Sequence, residues 1–263
     1  MSQGRASRPP QRRPSKAAVL LDLLAFVEGL RTEEQYLTYW RRQYRGRVLV
    51  EIDPYRGGPL QLVQRAVEAQ RTEAREARRG RGRAHNQIWC VFDRDEHPNF
   101  ARAIDLANRH NINLAISNPC IELWFILHFE NHTAYLERQA AQRRAEELLG
   151  CSKVLTESAL SSLAERYEQA RRRAIKLDEK HAGDASPPPS NPSSGVWRLI
   201  DMIRTPDAVA ALEARWPDWR IWIAVRAVGG PTWYAQRRNG TGQTIETDSI
   251  DGLAKYLEEE TAR

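Results

Sequence analysis

Apolar residues fall into short, nearly continuous runs along the chain, and stretches with helical spacing separate them. Four apolar runs, at residues 17–27, 47–52, 86–92 and 112–116, are typical of buried strands. The stretches between and after them predict helices at residues 33–44, 60–79, 99–110 and 121–129. Because strands that are apolar on both faces occur in parallel sheets covered by helices, this alternation predicts an α/β domain with a parallel sheet flanked by helices.

Two local signals refine this prediction. Thr32 and Gln35 have the spacing of a capping box and predict the start of the first helix. After the fourth strand, helices at 132–149 and 156–180 predict a helical extension that ends at a Pro/Ser-rich loop, residues 182–195.

The remaining pattern predicts a second, smaller unit of the α+β type. A short helix at 196–203 is followed by another at 207–215, a strand at 220–228, a hairpin turn at Asn239-Gly240 and a helix at 249–259. We therefore divide the chain into a disordered basic tail at 1–16, a main domain at 17–204 and a C-terminal unit at 205–263.

Charge, apolar run length and cysteine spacing indicate which partners the chain could bind and where in the cell it could lie. The chain has 263 residues, a net charge of +6 and a pI near 9.4, and these values suit a polyanionic partner as well as a solvated basic surface. No apolar run is long enough for a membrane helix, and the first run leads into Glu28-Gly29 instead of a signal cleavage site. The three cysteines lack zinc-site spacing. We expect a cytoplasmic protein that does not bind membranes.

Acidic residues follow two of the predicted strands. Asp93 and Asp95 come directly after the third strand, and side chains two residues apart in an extended segment leave the same face. Glu28 follows the first strand. Ligands of parallel sheets bind beyond the carboxyl ends of the strands, and Mg²⁺ prefers oxygen ligands, so these three acids predict a metal site. The competing interpretation is that each acid independently caps the next helix.

Four other polar residues are candidates for supporting roles. Glu33 is placed either to hold a second metal or orient Glu28, or only to complement the helix dipole. Glu122 lies on an apolar helix, where it orients a ligand or reaches solvent. His128 on the same helix is either functional or a buried structural histidine. His97 either contacts phosphate or is an exposed loop histidine.

Basic and aromatic residues suggest contacts with nucleic acid. Arg56, beside Gly57-Gly58, and Arg81, within the basic cluster at 78–83, are candidate phosphate contacts. The tryptophans of the C-terminal unit have two interpretations, base stacking or a small hydrophobic core, and they are Trp216, Trp219, Trp222 and Trp233.

These motifs resemble those of the RloB-like family and, more broadly, the Toprim domain of topoisomerases, primases and OLD-type nucleases. The matching segments are Phe26-Val27-Glu28-Gly29 with Thr32-Glu33, Val91-Phe92-Asp93-Arg94-Asp95 with Glu96-His97, Ser117-Asn118-Pro119-Cys120-Ile121-Glu122-Leu123-Trp124 with His128, and Asn191-Pro192-Ser193-Ser194. The resemblance covers about residues 23–203 and leaves the C-terminal unit outside.

The resemblance implies a Toprim-like fold that binds Mg²⁺ or Mn²⁺ through Glu28, Asp93 and Asp95. RloB-like proteins occur near restriction and abortive-infection loci, often beside an AAA-type ATPase, and related Toprim effectors are nucleases. We therefore expect a metal-dependent phage-defence nuclease that hydrolyses DNA or RNA, with an ATPase partner and homo-oligomers among the possible assemblies. The alternative is a non-catalytic Toprim-like sensor or regulatory partner of the ATPase. A primase-like nucleotidyl transferase is less well supported, because the sequence has no zinc-binding domain.

Overall fold

A computed structural model describes residues 21–29, 31–82, 84–94, 97–186, 189–225, 231–240 and 242–261 of the chain. The predicted tail at 1–16 and the candidate residue Asp95 lie outside these ranges. Within them, no helix is long and apolar enough to cross a membrane.

The main sheet has five strands and is mostly parallel, as predicted. It contains β1 (Leu21–Val27), β2 (Val48–Ile52), β3 (Gln87–Asp93), β4 (Asn113–Asn118) and β5 (Ser193–Ser194). The strands follow the order β2-β1-β3-β4-β5, in which the first four are parallel and β5 runs antiparallel to β4. The registers place Val27 beside Val91 and Asp93 beside Ser117, so β1, β3 and β4 end at one edge of the sheet.

Helices cover both faces of this sheet, and the strand sequences show why. Every residue of β1 and β3 is buried, and successive residues point to opposite faces. Leu24 and Phe26 pack in one core with α2 (Pro59–Arg78) and α3 (Phe100–His110). The alternate positions of β1 pack in a larger core with α1 (Thr32–Gln43) and α4 (Ile121–Phe129).

The α4 helix is apolar around most of its circumference because it is enclosed on all sides. Its packing partners include the extension helices α5 (Arg138–Leu149) and α7 (Tyr167–Gly183). Trp124 is fully buried and donates a hydrogen bond from Nε1 to the hydroxyl of Tyr36 at 2.8 Å. A helix of this composition is stable in water only when other elements cover it, and the extension provides that cover.

The predicted capping box at the start of α1 is wrong. The N-cap residue is Arg31, and it makes no side-chain cap bond. The loop after α5 binds both predicted capping residues instead. The Thr32 hydroxyl donates to the Lys153 backbone carbonyl at 3.1 Å, and the side-chain Oε1 of Gln35 accepts from the Leu155 amide at 2.9 Å. Long-range contacts that the local sequence does not encode replaced the local cap.

The predicted helix boundaries also differ from the structure at three places. The helix predicted at 132–149 begins only at Arg138, as α5. The single helix predicted at 156–180 is two helices, α6 (Glu157–Glu165) and α7, which meet at Arg166. The helices predicted at 196–203 and 207–215 form one helix, α8 (Val196–Arg215), with Pro206 inside it. A proline inside a helix removes one backbone donor, but burial on both sides of Pro206 holds the helix together: Ile203 packs in the main core and Leu212 in the C-terminal core. The predicted boundary after residue 204 therefore falls within α8.

The C-terminal part forms a small antiparallel sheet and a helix. The strands β6 (Trp219–Val225), β7 (Pro231–Arg237) and β8 (Ile245–Thr247) pair in that order, and α9 (Ile250–Thr261) follows. Trp216, Trp219 and Trp233 are buried in the core of this unit. The core interpretation is thus correct for three of the four tryptophans, while Trp222 is half-buried outside that core and stacks on Tyr234.

Candidate functional site

Two acids from neighbouring strands meet at the carboxyl edge of the sheet. The backbone amide of Asp93 donates to Oε2 of Glu28 at 3.2 Å. The amide of Glu28 donates in turn to the carbonyl of Val91 at 3.0 Å, which extends the β1–β3 pairing by one residue. The parallel register therefore brings together acids that are 65 residues apart in sequence.

Two further carboxylates face the same space from the first turns of α1 and α4. Burial raises the pKa of Asp93 well above its ordinary value, and the negative charges of Glu33 and Glu122 raise it further. Burial also raises the pKa of Glu33, with added repulsion from Glu122 and Glu28. The pKa values of Asp93 and Glu33 thus respond to the neighbouring carboxylates, so we treat Glu28, Glu33, Asp93 and Glu122 as one group, the acid cluster.

Gly29 allows Glu33 to fold back onto the end of β1. A methyl group in place of the Gly29 hydrogen would lie 1.9 Å from Oε2 of Glu33, far inside van der Waals contact. The Glu33 carboxylate also accepts a hydrogen bond from the Gly29 backbone. The glycine that follows Glu28 is therefore explained by steric packing, because only a residue without a side chain leaves space there for the Glu33 carboxylate.

Two cationic or polar side chains border the acid cluster. Nη2 of Arg138, the first residue of α5, lies 3.5 Å from Oδ2 of Asp93. Nε2 of His97 lies 3.2 Å from Oε1 of Glu28. Sequence reasoning proposed His97 but missed Arg138, because nothing local distinguishes it from the other arginines of a charged helix.

The model of the RloB-like protein family matches residues 23–203. The chain belongs to the RloB-like family. The match contains every strand of the main sheet except the start of β1, and it contains all four residues of the acid cluster. It ends inside α8, so the C-terminal sheet of this RloB-like protein lies beyond it. No curated protein matches the chain.

The Asn191-Pro192-Ser193-Ser194 segment, which is part of the family resemblance, contains β5, the edge strand next to β4. Ser194 in β5 pairs with Ser117 in β4, and their hydroxyls lie 3.0 Å apart. Ser117 is also the β4 partner of Asp93. The Asn191-Pro192-Ser193-Ser194 segment of this RloB-like protein therefore supports the strand next to Asp93.

His128 lies outside the acid cluster and has the features of a structural histidine. It is buried, its Nδ1 is 2.8 Å from the carbonyl of Trp124, and burial lowers its pKa to about 3. An imidazole with this pKa is neutral at pH 7, so Nδ1 donates the proton in that hydrogen bond.

The two candidate phosphate contacts lie at opposite edges of the sheet. Arg56 follows β2, which ends at the same edge as β1 and the acid cluster. Arg56 is bound locally, with Nη2 2.6 Å from Glu34 and Nη1 2.6 Å from the carbonyl of Asp53. Arg81 is exposed after the end of α2, on the side where β3 begins. A seven-residue strand is about 20 Å long, so roughly that distance separates the two edges of the sheet.

The acid cluster suits a hard cation in its donor chemistry. Carboxylate oxygens are the ligands that Mg²⁺ and Mn²⁺ prefer, and a cation would offset the repulsion that raises the pKa values. Among the residues that the structure describes, no group of three or more His, Cys, Asp or Glu side chains has an arrangement ready to hold a metal. Asp95, a predicted ligand two residues after Asp93, is outside those residues.

Proposed function

We propose that this RloB-like protein is a metal-dependent nuclease of a phage-defence or abortive-infection system, and that it hydrolyses phosphodiester bonds of DNA or RNA. The observation that carries the proposal is the acid cluster, which gathers four carboxylates at the ligand-binding edge of the sheet. The resemblance of its motifs to Toprim nucleases gives the same expectation. The basic charge of the chain, +6, suits a polyanionic substrate.

The residues have separable roles in this proposal. A bound Mg²⁺ or Mn²⁺ supplies charge neutralisation at the phosphate and activation of water. Asp93 and Glu28 would hold the ion, together with Asp95, and Glu33 is positioned to join them. As a general base, Glu28 would be oriented at both oxygens, because the Asp93 amide donates to Oε2 and Nε2 of His97 lies 3.2 Å from Oε1.

The test is cleavage by the purified chain with Mg²⁺ or Mn²⁺ on a panel of tRNA, single-stranded DNA and duplex DNA. We expect wild type to cut at least one of these, and Asp93→Asn, which keeps the side-chain shape, to lose the activity. Asp105→Asn, on the exposed side of α3, is the matched control and should cut like wild type. Equal cleavage by wild type and Asp93→Asn would refute a role for Asp93 in catalysis.

A regulatory function is the second candidate. The same acid cluster supports it, because holding a cation or a cation-bound nucleotide does not require hydrolysis. In that case wild type, but not Asp93→Asn, would bind Mn²⁺ in calorimetry while leaving every nucleic acid in the panel intact. The partner expected from the family resemblance is an AAA-type ATPase, whose hydrolysis rate would then change when the chain is added.

A further inference from the structure

Arg138 has a place at the acid cluster that no motif assigns. Its guanidinium contacts Asp93, whose side chain is 10% exposed, while the Arg138 side chain is 44% exposed. It therefore reaches from solvent to a buried acid of the site. A side chain with that exposure is accessible to a ligand that approaches the cluster from outside.

The Arg138–Asp93 contact is too long to be a strong ion pair. Charge-assisted hydrogen bonds between guanidinium and carboxylate groups are usually about 2.7–2.9 Å long. The distance here is 3.5 Å, whereas Arg144, on the same helix as Arg138, lies 2.5 Å from Glu130. A guanidinium has five donors in a planar fork, and one contact with Asp93 occupies only part of that fork.

A two-bond clamp sets the start of the helix that carries Arg138. The side-chain carbonyl of Asn191 accepts from the Leu136 amide at 2.9 Å, and its amide donates to the Leu136 carbonyl at 2.8 Å. Asn191 lies two residues before β5, and β5 is fixed to β4 beside Asp93. The clamp therefore ties the residues just before Arg138 to the same sheet edge as the acid cluster.

We propose that Arg138 binds the phosphate group of nucleic acid at the acid cluster, and that Asn191 is the positioning residue that holds Arg138 there. The inference rests on the proposed function and specifies how its substrate is recognised. Four carboxylates repel a phosphodiester, so a site that accepts one needs a cation at its mouth in addition to any metal. The planar fork of arginine matches phosphate oxygens.

Binding without cleavage tests Arg138 directly. Fluorescence anisotropy would follow fluorescein-labelled single-stranded DNA and RNA, in Ca²⁺ and over a series of salt concentrations. Loss of a charged hydrogen bond predicts that Arg138→Ala binds about ten- to a hundredfold more weakly. The slope of log affinity against log salt should fall by about 0.7, as expected when one phosphate contact to a single strand is lost. Arg138→Lys should keep the slope and recover only part of the affinity.

Arg144→Ala is the matched control, because Arg144 is on the same helix, is 43% exposed and pairs with Glu130 and Glu147. It should bind like wild type, with the same salt slope. Equal affinity and slope for wild type and Arg138→Ala would overturn the inference, and the cleavage test with Asp93→Asn would still decide the proposed function. Binding that depends on Arg138 in a protein that cuts nothing would support the inference and refute the nuclease. A wild type that neither binds nor cuts nucleic acid would overturn both.

The role of Asn191 is tested by a double-mutant cycle. If Asn191 acts through Arg138, Asn191→Ala should weaken binding and lower the salt slope, and adding it to Arg138→Ala should cause no further loss. Losses that add in the double variant, or an unchanged slope in Asn191→Ala, would overturn the positioning role. Circular dichroism selects the folded variants for comparison; if Asn191→Ala does not fold, Asn191→Asp, which keeps the acceptor for the Leu136 amide, takes its place in the cycle.

Discussion

Replacing Gly29 with alanine tests whether the acid cluster is as tightly packed as the structure shows. The new Cβ would lie 1.9 Å from Oε2 of Glu33 and 2.4 Å from its Cδ. Real Cβ atoms essentially never approach other atoms closer than 3.0 Å, so the carboxylate must move by about 1 Å or more. Glu33 is a buried residue, and its hydrogen bond to the Gly29 backbone would be lost in that movement.

The expected cost follows from overpacking a buried site. Inserting a methyl group into a packed region typically destabilises a protein by about 1–3 kcal/mol. For a chain of this size, each kcal/mol lowers Tm by roughly 2–4 °C. We therefore expect Gly29→Ala to unfold several degrees earlier than wild type, with a free energy of unfolding from urea denaturation that is lower by about 1–3 kcal/mol.

Two further variants make this prediction specific. Gly183→Ala, at the end of α7, would meet nothing within 4 Å, so it should be neutral or stabilising by up to about 1 kcal/mol. Glu33→Ala removes the group that Gly29→Ala would strike, so the double variant should be no less stable than Glu33→Ala alone. If the two destabilisations instead add, the clash with Glu33 is not what requires a glycine at this position, and the close packing described here is wrong.

Three other perturbations have expected outcomes that follow from single contacts. Burial lowers the pKa of His128 to about 3 from an ordinary 6.5, so this residue lowers the free energy of unfolding as pH falls from about 6.5 toward 3. In urea denaturation across this range, the free energy of unfolding of His128→Phe should depend less steeply on pH than that of wild type, and an equal pH dependence would contradict the structural role of His128. The hydrogen bond that His85 donates to Glu73 raises the pKa of His85, and that stabilisation is complete below pH 6.5 and lost as pH rises through the raised pKa. Glu73→Gln should therefore lose most stability between about pH 4.5 and 6.5 and least in alkali, and an equal loss in alkali would count against this pair. Burial raises the pKa of the Cys90 and Cys120 thiols, whereas Cys151 is half-buried. Native protein should therefore react with a thiol reagent in one fast phase that Cys151→Ser removes, and a fast phase that persists in this variant would refute Cys151 as the most reactive thiol.

The architecture could be predicted from the sequence because buried strands and helices consist of recognisable runs of apolar residues. Strands β1 and β3 are buried on both faces, and their nearly continuous apolar runs marked them without knowledge of their partners. The parallel arrangement then implied that Glu28 and Asp93 lie at the same edge. The α4 helix was predicted at its observed bounds, Ile121–Phe129, for the same reason.

The features that the sequence did not predict depend on contacts between distant segments. Arg138 reaches Asp93 across 45 residues, and the Asn191 clamp spans 55. The continuity of α8 through Pro206 was also missed, because a proline is a local stop signal and only the two cores on either side show why the helix persists. Local patterns thus placed the acids, whereas the cation that faces them required the three-dimensional structure.

The structure also bears on the alternative that each acid only caps a helix. The N-cap of α1 is Arg31 and that of α3 is Asn99, and neither helix has a side-chain cap bond, so Glu28 and Asp93 cap neither of them. Glu33 and Glu122 lie in first turns, where helix dipoles favour negative charge, but the dipoles do not require both acids to face Asp93. Bringing like charges together in a buried site costs stability, and no cap bond of Glu28 or Asp93 offsets that cost. A bound cation would offset it, and this is the physical argument for a functional site at this edge of the sheet.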